Sequence, residues 1–550
     1  MSRIAIHSFA VLILAIIPLS AQSSYVPMDS WVYPAFDRLA ASGFVSSAYL
    51  GIRPWTRTEC LRLIEEGEEH LRIKESGSDL PYSEQSKILS ALNAEFSADS
   101  EAAAQRQNLG VSLDSMYFRS TEISGPVLRD DYHFSQTIVN DYGRPSGEGF
   151  NSIAGFTSHG QAGPLAFFLR GEMQHSAAIG SDPQQVLAAT AAIDGTQPVS
   201  TARAEINRFP LLESTVGIAS RGVQLTFGRQ NLWLGPGDAG PFLFSTNSEP
   251  MMMLRIESTS PYRFPLLSRW LGPVQSQWFI GRLSGQTWEY SPQLFGPGLT
   301  SQPFLQGTKI SFRPTGNLEI GFGFIAQFGG PGNPFTTGNF LTTLYSHRVG
   351  VGRNPAKRLS EFDFNYRVPG LRNWAQAYCD MMVIDEYSPI GSTRPAINPG
   401  LYFPQLPWLA KTELRIEGVT TDLNVPGHYG AGAFYWDGRY RSGYTNGGNL
   451  IGSWVGRRGR AEQAWLTYHL SSQNTLQFGY RHNDVDKAFL EGGQVRDLSL
   501  RSQWKLSDRI GFAASVQHER WRFPLLSLAP RSNVLVSGEM SFRPNFGLQK

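Results

Sequence analysis

The sequence predicts a mainly β protein: a transmembrane antiparallel β-barrel of about 18 strands carrying a small N-terminal α-helical domain. Three observations carry that expectation. The hydrophobic period changes from 3.6 to 2 at Leu109 and stays at 2 to the end of the chain. Many alternating segments run about 10 to 12 residues, the length of a tilted membrane strand and about twice that of a typical soluble one. Beyond residue 24 there is no apolar stretch of about 18 residues that could cross a membrane as a helix.

Composition agrees. Across 550 residues, 48 Lys and Arg stand against 46 Asp and Glu, and a net charge of +2 gives no electrostatic reason for a nucleic-acid partner. Charged residues are only 17%, against roughly 25% in an average soluble domain. Much of the surface is therefore expected to face something other than water. Two cysteines, Cys60 and Cys379, are too few for a disulfide framework or for a zinc site of their own.

The elements follow in order. Residues 1–23 read as a secretory signal: Arg3, an apolar run from Phe9 to Ile17, then Pro18 and small residues, with cleavage between Ala21 and Ser24. That run is too short to span about 30 Å of hydrocarbon as a helix. Residues 25–106 form a helical domain. Its first helix lies within Asp29–Gly43, its second starts at a capping box made by Thr56 and Glu59, and its third runs from Ser83 to about Gln105 with Ile88, Leu89, Leu92 and Phe96 as its stripe. The domain is expected to plug or cap the barrel on the periplasmic side. Residues 109–545 form the barrel. In EFDFNYRV, Glu361, Asp363, Asn365 and Arg367 alternate with Phe362, Phe364, Tyr366 and Val368, giving one wet and one apolar face. About 440 residues at roughly 24 per strand and connection give the count of 18.

Connections alternate between short and long, as turns and external loops of barrels do. The long ones are 231–250, 285–304, 329–357, 387–408 and 422–448. RFPLL, found at Arg208, Arg263 and Arg522, reads as a strand-end device, since proline cannot serve a central ladder.

Catalytic motifs are missing: no G-x-S-x-G, no H-E-x-x-H, no P-loop and no paired C-x-x-C. No catalytic residue, cofactor or metal site is expected, and the ten histidines read as lumen or interface residues. Segment 424–460 is richer. It sets Tyr435, Trp436, Tyr440 and Tyr444 beside Arg439 and Arg441, and aromatic faces stack on sugar C–H faces while guanidinium groups pair with uronate carboxylates. These six residues are the candidate carbohydrate-binding set. An interfacial aromatic belt would have much the same composition.

Several ordered pieces of the chain resemble the capsule assembly Wzi family of outer-membrane proteins: DSWVYPAFDRLAASG, RPWTR from Arg53, GRQNLWLGPGDAGPFLFSTNSEP from Gly228 to Pro250, YTNGGNLIGSWVG from Tyr444, and RWRFPLL with SNVLVSGEMSFRP. The resemblance implies an 18-stranded outer-membrane barrel with helices on the periplasmic side, non-catalytic and lectin-like, holding extracellular or capsular polysaccharide at the cell surface as a monomer in contact with outer-membrane lipid. The alternative is a porin or uptake channel, in which Glu361, Asp363, Arg367, Glu413, Arg415 and Glu417 would form the filter. The position of Arg53–Leu71 relative to the lumen separates the two.

Overall fold

A computed structural model of the chain describes residues 23–76, 82–104, 109–287, 302–330, 335–345, 356–371, 375–422, 434–544 and 547–549. Residues 1–22, and with them the expected signal, lie outside that set, as does Tyr429 of the aromatic segment.

Among the described residues four helices precede the barrel: α1 Val32–Ala41, α2 Arg57–Ser76, α3 Ser83–Glu95 and α4 Ser97–Ala104. The expected third helix is thus split at Phe96. The N-cap half of the expected box is formed, the Glu59 amide donating to Thr56 Oγ1 at 3.1 Å, while the Glu59 carboxylate pairs with Arg62 at 2.6 Å. Phe36, Leu39, Phe44, Leu63, Ile88 and Leu92 close a core between the helices.

The barrel begins at Leu109. Its strands are β1 Leu109–Ser124, β2 Gly149–Ala162, β3 Leu165–Ser176, β4 Leu211–Ser220, β5 Val223–Gln230 and β6 Met251–Ser258. They continue as β7 Val274–Arg282, β8 Phe304–Thr315, β9 Leu318–Phe328, β10 Lys357–Arg367, β11 Gln376–Ile384 and β12 Ala396–Phe403. The last six are β13 Thr412–Thr420, β14 Gly459–His469, β15 Thr475–Val485, β16 Gly493–Lys505, β17 Ile510–Arg522 and β18 Arg531–Phe542. Neighbours pair antiparallel throughout, and β18 closes on β1 with Met116 opposite Phe542 and Ser124 opposite Val534. Tight turns mark one end. At Arg221–Gly222 both central residues have positive φ, 48° and 83°, the geometry that matches strand twist in a two-residue hairpin.

The helical domain lies at this short-turn end, where Arg543 just after β18 pairs with Glu95 of α3 at 2.6 Å. Outward residues form the apolar belt that lipid requires: Phe118, Phe227, Ile310, Phe478, Leu500 and Val536 are all exposed. Trp270 and Trp408, exposed in short-turn-end connections, stand where interfacial aromatics anchor a barrel. Because closure satisfies every strand edge, unboiled and boiled samples are expected to migrate differently in detergent gels. Co-migration of the two would be incompatible with a closed barrel.

Two readings of the sequence need correction. The expected long loop 387–408 contains β12, disguised by Pro399 and Gly400. The ladder to β13 pairs Ile397 with Thr420 and resumes at Gly400 with Glu417, so Pro399 falls where that ladder is interrupted. RFPLL is a strand end at Arg522 and at Arg208, where the short strand Ile206–Arg208 gives way to β4 beside the same partner β3; at Arg263 it lies in the connection between β6 and β7.

Candidate functional site

Along β8–β13 the lumen is filled from both ends, and the wall charges there hold what fills it; along β1, β2 and β16–β18 it keeps a cavity of about 1820 Å³ lined by Asp29, Glu95, Tyr117, His159, Arg170 and Glu539. From the helical end, the segment after α1 enters the barrel: Glu319 of β9 accepts from the Leu50 and Gly51 amides at 3.0 and 3.2 Å, and Arg313 of β8 donates to the Ser46 carbonyl at 2.8 Å. From the long-loop end, 231–250 descends. Glu417 takes the Asp238 and Ala239 amides at 2.7 and 2.8 Å, and Asp380 takes that of Phe242 at 2.9 Å. The two insertions meet, Ile52–Arg53 forming a two-stranded ladder with Trp233–Leu234.

Arg53 is therefore lodged inside, 2.8 Å from Asp37, which is itself 3.4 Å from Arg415. The supposed filter is engaged elsewhere too. Glu361 and Asp363 share the ammonium of Lys309, Arg367 is tied to Asn317 at 2.6 Å, and Glu413 accepts from Tyr402 at 2.9 Å. Arg415 and Glu417 thus hold inserted segments, while Glu361, Asp363, Arg367 and Glu413 are paired within the wall.

Above this junction the candidate aromatics form an interior core with the 231–250 loop. Tyr435 and Tyr444 are 0% exposed and stacked, their centroids 5.8 Å apart at 10°. Their hydroxyls donate to the Phe242 and Leu243 carbonyls at 2.9 and 2.7 Å. Tyr440 is likewise 0% exposed and donates to the Gly329 carbonyl at 3.1 Å. The reading of these three rings as stacking platforms is thus corrected: a ring enclosed on both faces has none to offer a sugar, and these brace the loop. Trp454 and Leu450 complete the cluster with Phe242 and Phe244.

Trp436 is half-buried and donates from Nε1 to the Asp194 carbonyl at 3.2 Å. Arg439 pairs with Asp437 at 3.1 Å. Burial works against the Asp437 charge, but the Arg439 hydrogen bond and charge hold its carboxyl below the ordinary value. Arg441 donates to the carbonyls of Gly438, at 3.2 Å, and Gly195. Trp436, Asp437, Arg439 and Arg441 thus stay together and only partly buried, and planar polar groups of this kind can pair with hydroxyls and carboxylates.

A knot ties the loops beneath them. Asp194, at the end of the helix Gln184–Asp194, accepts from His133 Nε2 at 2.8 Å and pairs with Arg457. His133 Nδ1 holds Asp130 at 2.7 Å, and Arg457 stacks over Tyr132 at 4.5 Å. Asp131, 1% exposed, accepts from Asn247 and from the Leu450 amide at 3.1 Å. Sequence reasoning missed all of these, because nothing local pairs residues so far apart in the chain. Opposite the filled side, a cavity of about 250 Å³ is lined by Thr137–Asp141 and by Arg119, Trp465, Arg481 and Arg501. Among the described residues no cluster of three or more His, Cys, Asp or Glu could hold a metal ion.

The family profile described as capsule assembly protein Wzi matches residues 119–534. The chain belongs to the capsule assembly Wzi family. A Klebsiella pneumoniae relative, described as an uncharacterized 55.8 kDa protein in the cps region, is 27% identical over 168 residues, which is 30% of this chain and 31% of that protein. Its match thus spans about a third of the relative. Among solved structures the fold is similar to that of Wzi from Escherichia coli, with a TM-score of 0.67 and 14% identity over 95% of this chain and all of that one. That protein is described as an outer-membrane, carbohydrate-binding β-barrel involved in group 1 capsule assembly. A BenF-like porin from Pseudomonas fluorescens also matches, at a TM-score of 0.42 and 10% identity over 79% of this chain and 99% of that one.

Proposed function

We propose that the protein is an outer-membrane lectin that holds an extracellular or capsular polysaccharide at the cell surface. It does so as a monomer, in contact with lipid and without catalysing a reaction. The observation that carries the reading is the pair of inserted segments: in this Wzi-family barrel of 18 strands the wall charges of β8–β13 grip chain segments and not an ion path, which turns the loop cap into the working surface. The name of the Escherichia coli structure and the cps-region origin of the Klebsiella relative support the same ligand class. A closed barrel leaves no strand edge to recruit a second copy, which supports the monomer.

On this reading the sugar-contacting groups are Trp436, Asp437, Arg439 and Arg441. Tyr435, Tyr440 and Tyr444 act through them as buried braces. Each contact is expected to contribute about 1 kcal/mol, so single changes weaken binding a few-fold and combined changes abolish it. The test is retention of surface polysaccharide on cells carrying Trp436→Ala, Arg439→Ala and Arg441→Ala together, with folding verified by the heat shift. Loss of the polymer is expected. A folded, exported triple variant that keeps as much polymer as the wild type would place the binding surface elsewhere.

A further inference from the structure

We infer that the outward rim of β15–β17 at the long-loop end binds the phosphorylated headgroup of an outer-leaflet glycolipid. Arg496 on β16 is directly opposite Arg520 on β17, and His482 on β15 is directly opposite Arg496. Arg522 follows two residues after Arg520 on the same face. All three arginines are exposed, and the intervening Asp497, Glu519 and Trp521 are buried on the lumen side.

Two guanidinium groups directly across a strand pair repel each other. Among the described residues no carboxylate or hydrogen-bond acceptor relieves Arg496, Arg520 or Arg522. The nearby exposed acids are Asp484, 3.3 Å from His482, Glu462, which is opposite His482 and one strand farther from Arg496, and Glu491 in the connection that leads into β16. Elsewhere on the rim the charge is neutralised, since Arg208 and Arg229 converge on Glu249 at 2.6 and 3.3 Å. The β15–β17 rim is therefore a cationic site lacking its anion.

Its height and direction say which anion. Leu498 and Val516, 48% and 47% exposed, belong to the apolar belt immediately below it. Acyl chains of a bound molecule would lie on that belt while a phosphate reached the guanidinium groups, which bind phosphate in a bidentate fork. The rim faces sideways into the leaflet and away from the loop cap, so this site is independent of the polysaccharide reading.

The experiment titrates the full-length protein in detergent with bis-phosphorylated lipid A and with the same lipid dephosphorylated, bound lipid being counted by native mass spectrometry. Wild type is expected to prefer the phosphorylated lipid by about tenfold or more, and R496Q/R520Q/R522Q to lose that preference while still shifting on heating. Should the triple variant fail to fold, the wild-type comparison of the two lipids and the single R520Q variant decide. Equal binding of both lipids by wild type, or an undiminished preference in the folded triple variant or in R520Q, would overturn the inference. So would competition by a phosphorylated oligosaccharide without acyl chains at the concentration at which the lipid itself competes, since the ligand would then be a soluble glycan.

Discussion

Single-channel recordings of the intact protein are expected to show little conductance, and deleting residues 25–106 alone should leave it low. Two plugs stand in series. The segment after α1 is held by Glu319 and Arg313 near the short turns, while 231–250 is held by Glu417 and Asp380 farther up the lumen. Removing the helical domain takes the first and leaves the second with its own carboxylate sockets and its core of Phe242, Phe244, Tyr435 and Trp454. Shortening 231–250 as well removes the carbonyl acceptors of Tyr435 and Tyr444, and a buried hydroxyl without a partner costs about 1–3 kcal/mol. The double deletion should therefore raise conductance toward that of an open barrel of this strand number, which is wide enough for an aqueous channel. A large conductance in the intact protein would favour the porin alternative instead.

The barrel was legible in the sequence because each strand must satisfy two media at once. Alternation such as that of 361–368 writes that requirement into every second residue. The helical domain was legible through its 3.6 period and the Thr56–Glu59 box. The destination of the loops was not. Tyr435, Tyr440 and Tyr444 have the composition of a sugar platform and also that of a lumen plug, and no periodicity in a loop tells which way it folds. The sockets were read as a filter for a related reason. Glu417 looks the same in sequence whether its partner is an ion or a pair of backbone amides 179 and 178 residues away. Only the sideways rim of Arg496 and Arg520 needed register before it could be seen at all, since residues 24 apart in sequence become neighbours through the turn between β16 and β17.

The loop knot at Asp194 should come undone as pH rises. Burial would push the His133 imidazole down, but Asp130 and Asp194 on its two nitrogens outweigh it and hold it up at about 10. Burial pushes the Asp131 carboxyl up to about 7, and the neighbouring Asp130 charge adds to the rise. Both groups thus bind a proton more tightly in the folded loops than in the unfolded chain, so each stabilises the protonated state. The Asp131 contribution is complete below its unfolded value of about 3.9 and is lost as pH rises through about 7; that of His133 is complete below about 6.5 and is lost through about 10. Protection of 125–148, 184–194 and 434–458 against hydrogen exchange should accordingly fall in two stages with rising pH. Asp131→Asn, which keeps an oxygen acceptor without the charge, should remove the lower stage. Asp194→Ala should do more. It leaves Arg457, whose side chain is 1% exposed, without the carboxylate that offsets its burial, a change that costs roughly 3–5 kcal/mol in comparable buried pairs. That loss would expose all three loops at neutral pH while the strands, held by their own ladders, keep their protection. If the loops of Asp194→Ala exchanged as slowly as those of the wild type, the aromatic core around Tyr435 and Trp454 alone would be fixing the cap, and the knot would be incidental to it.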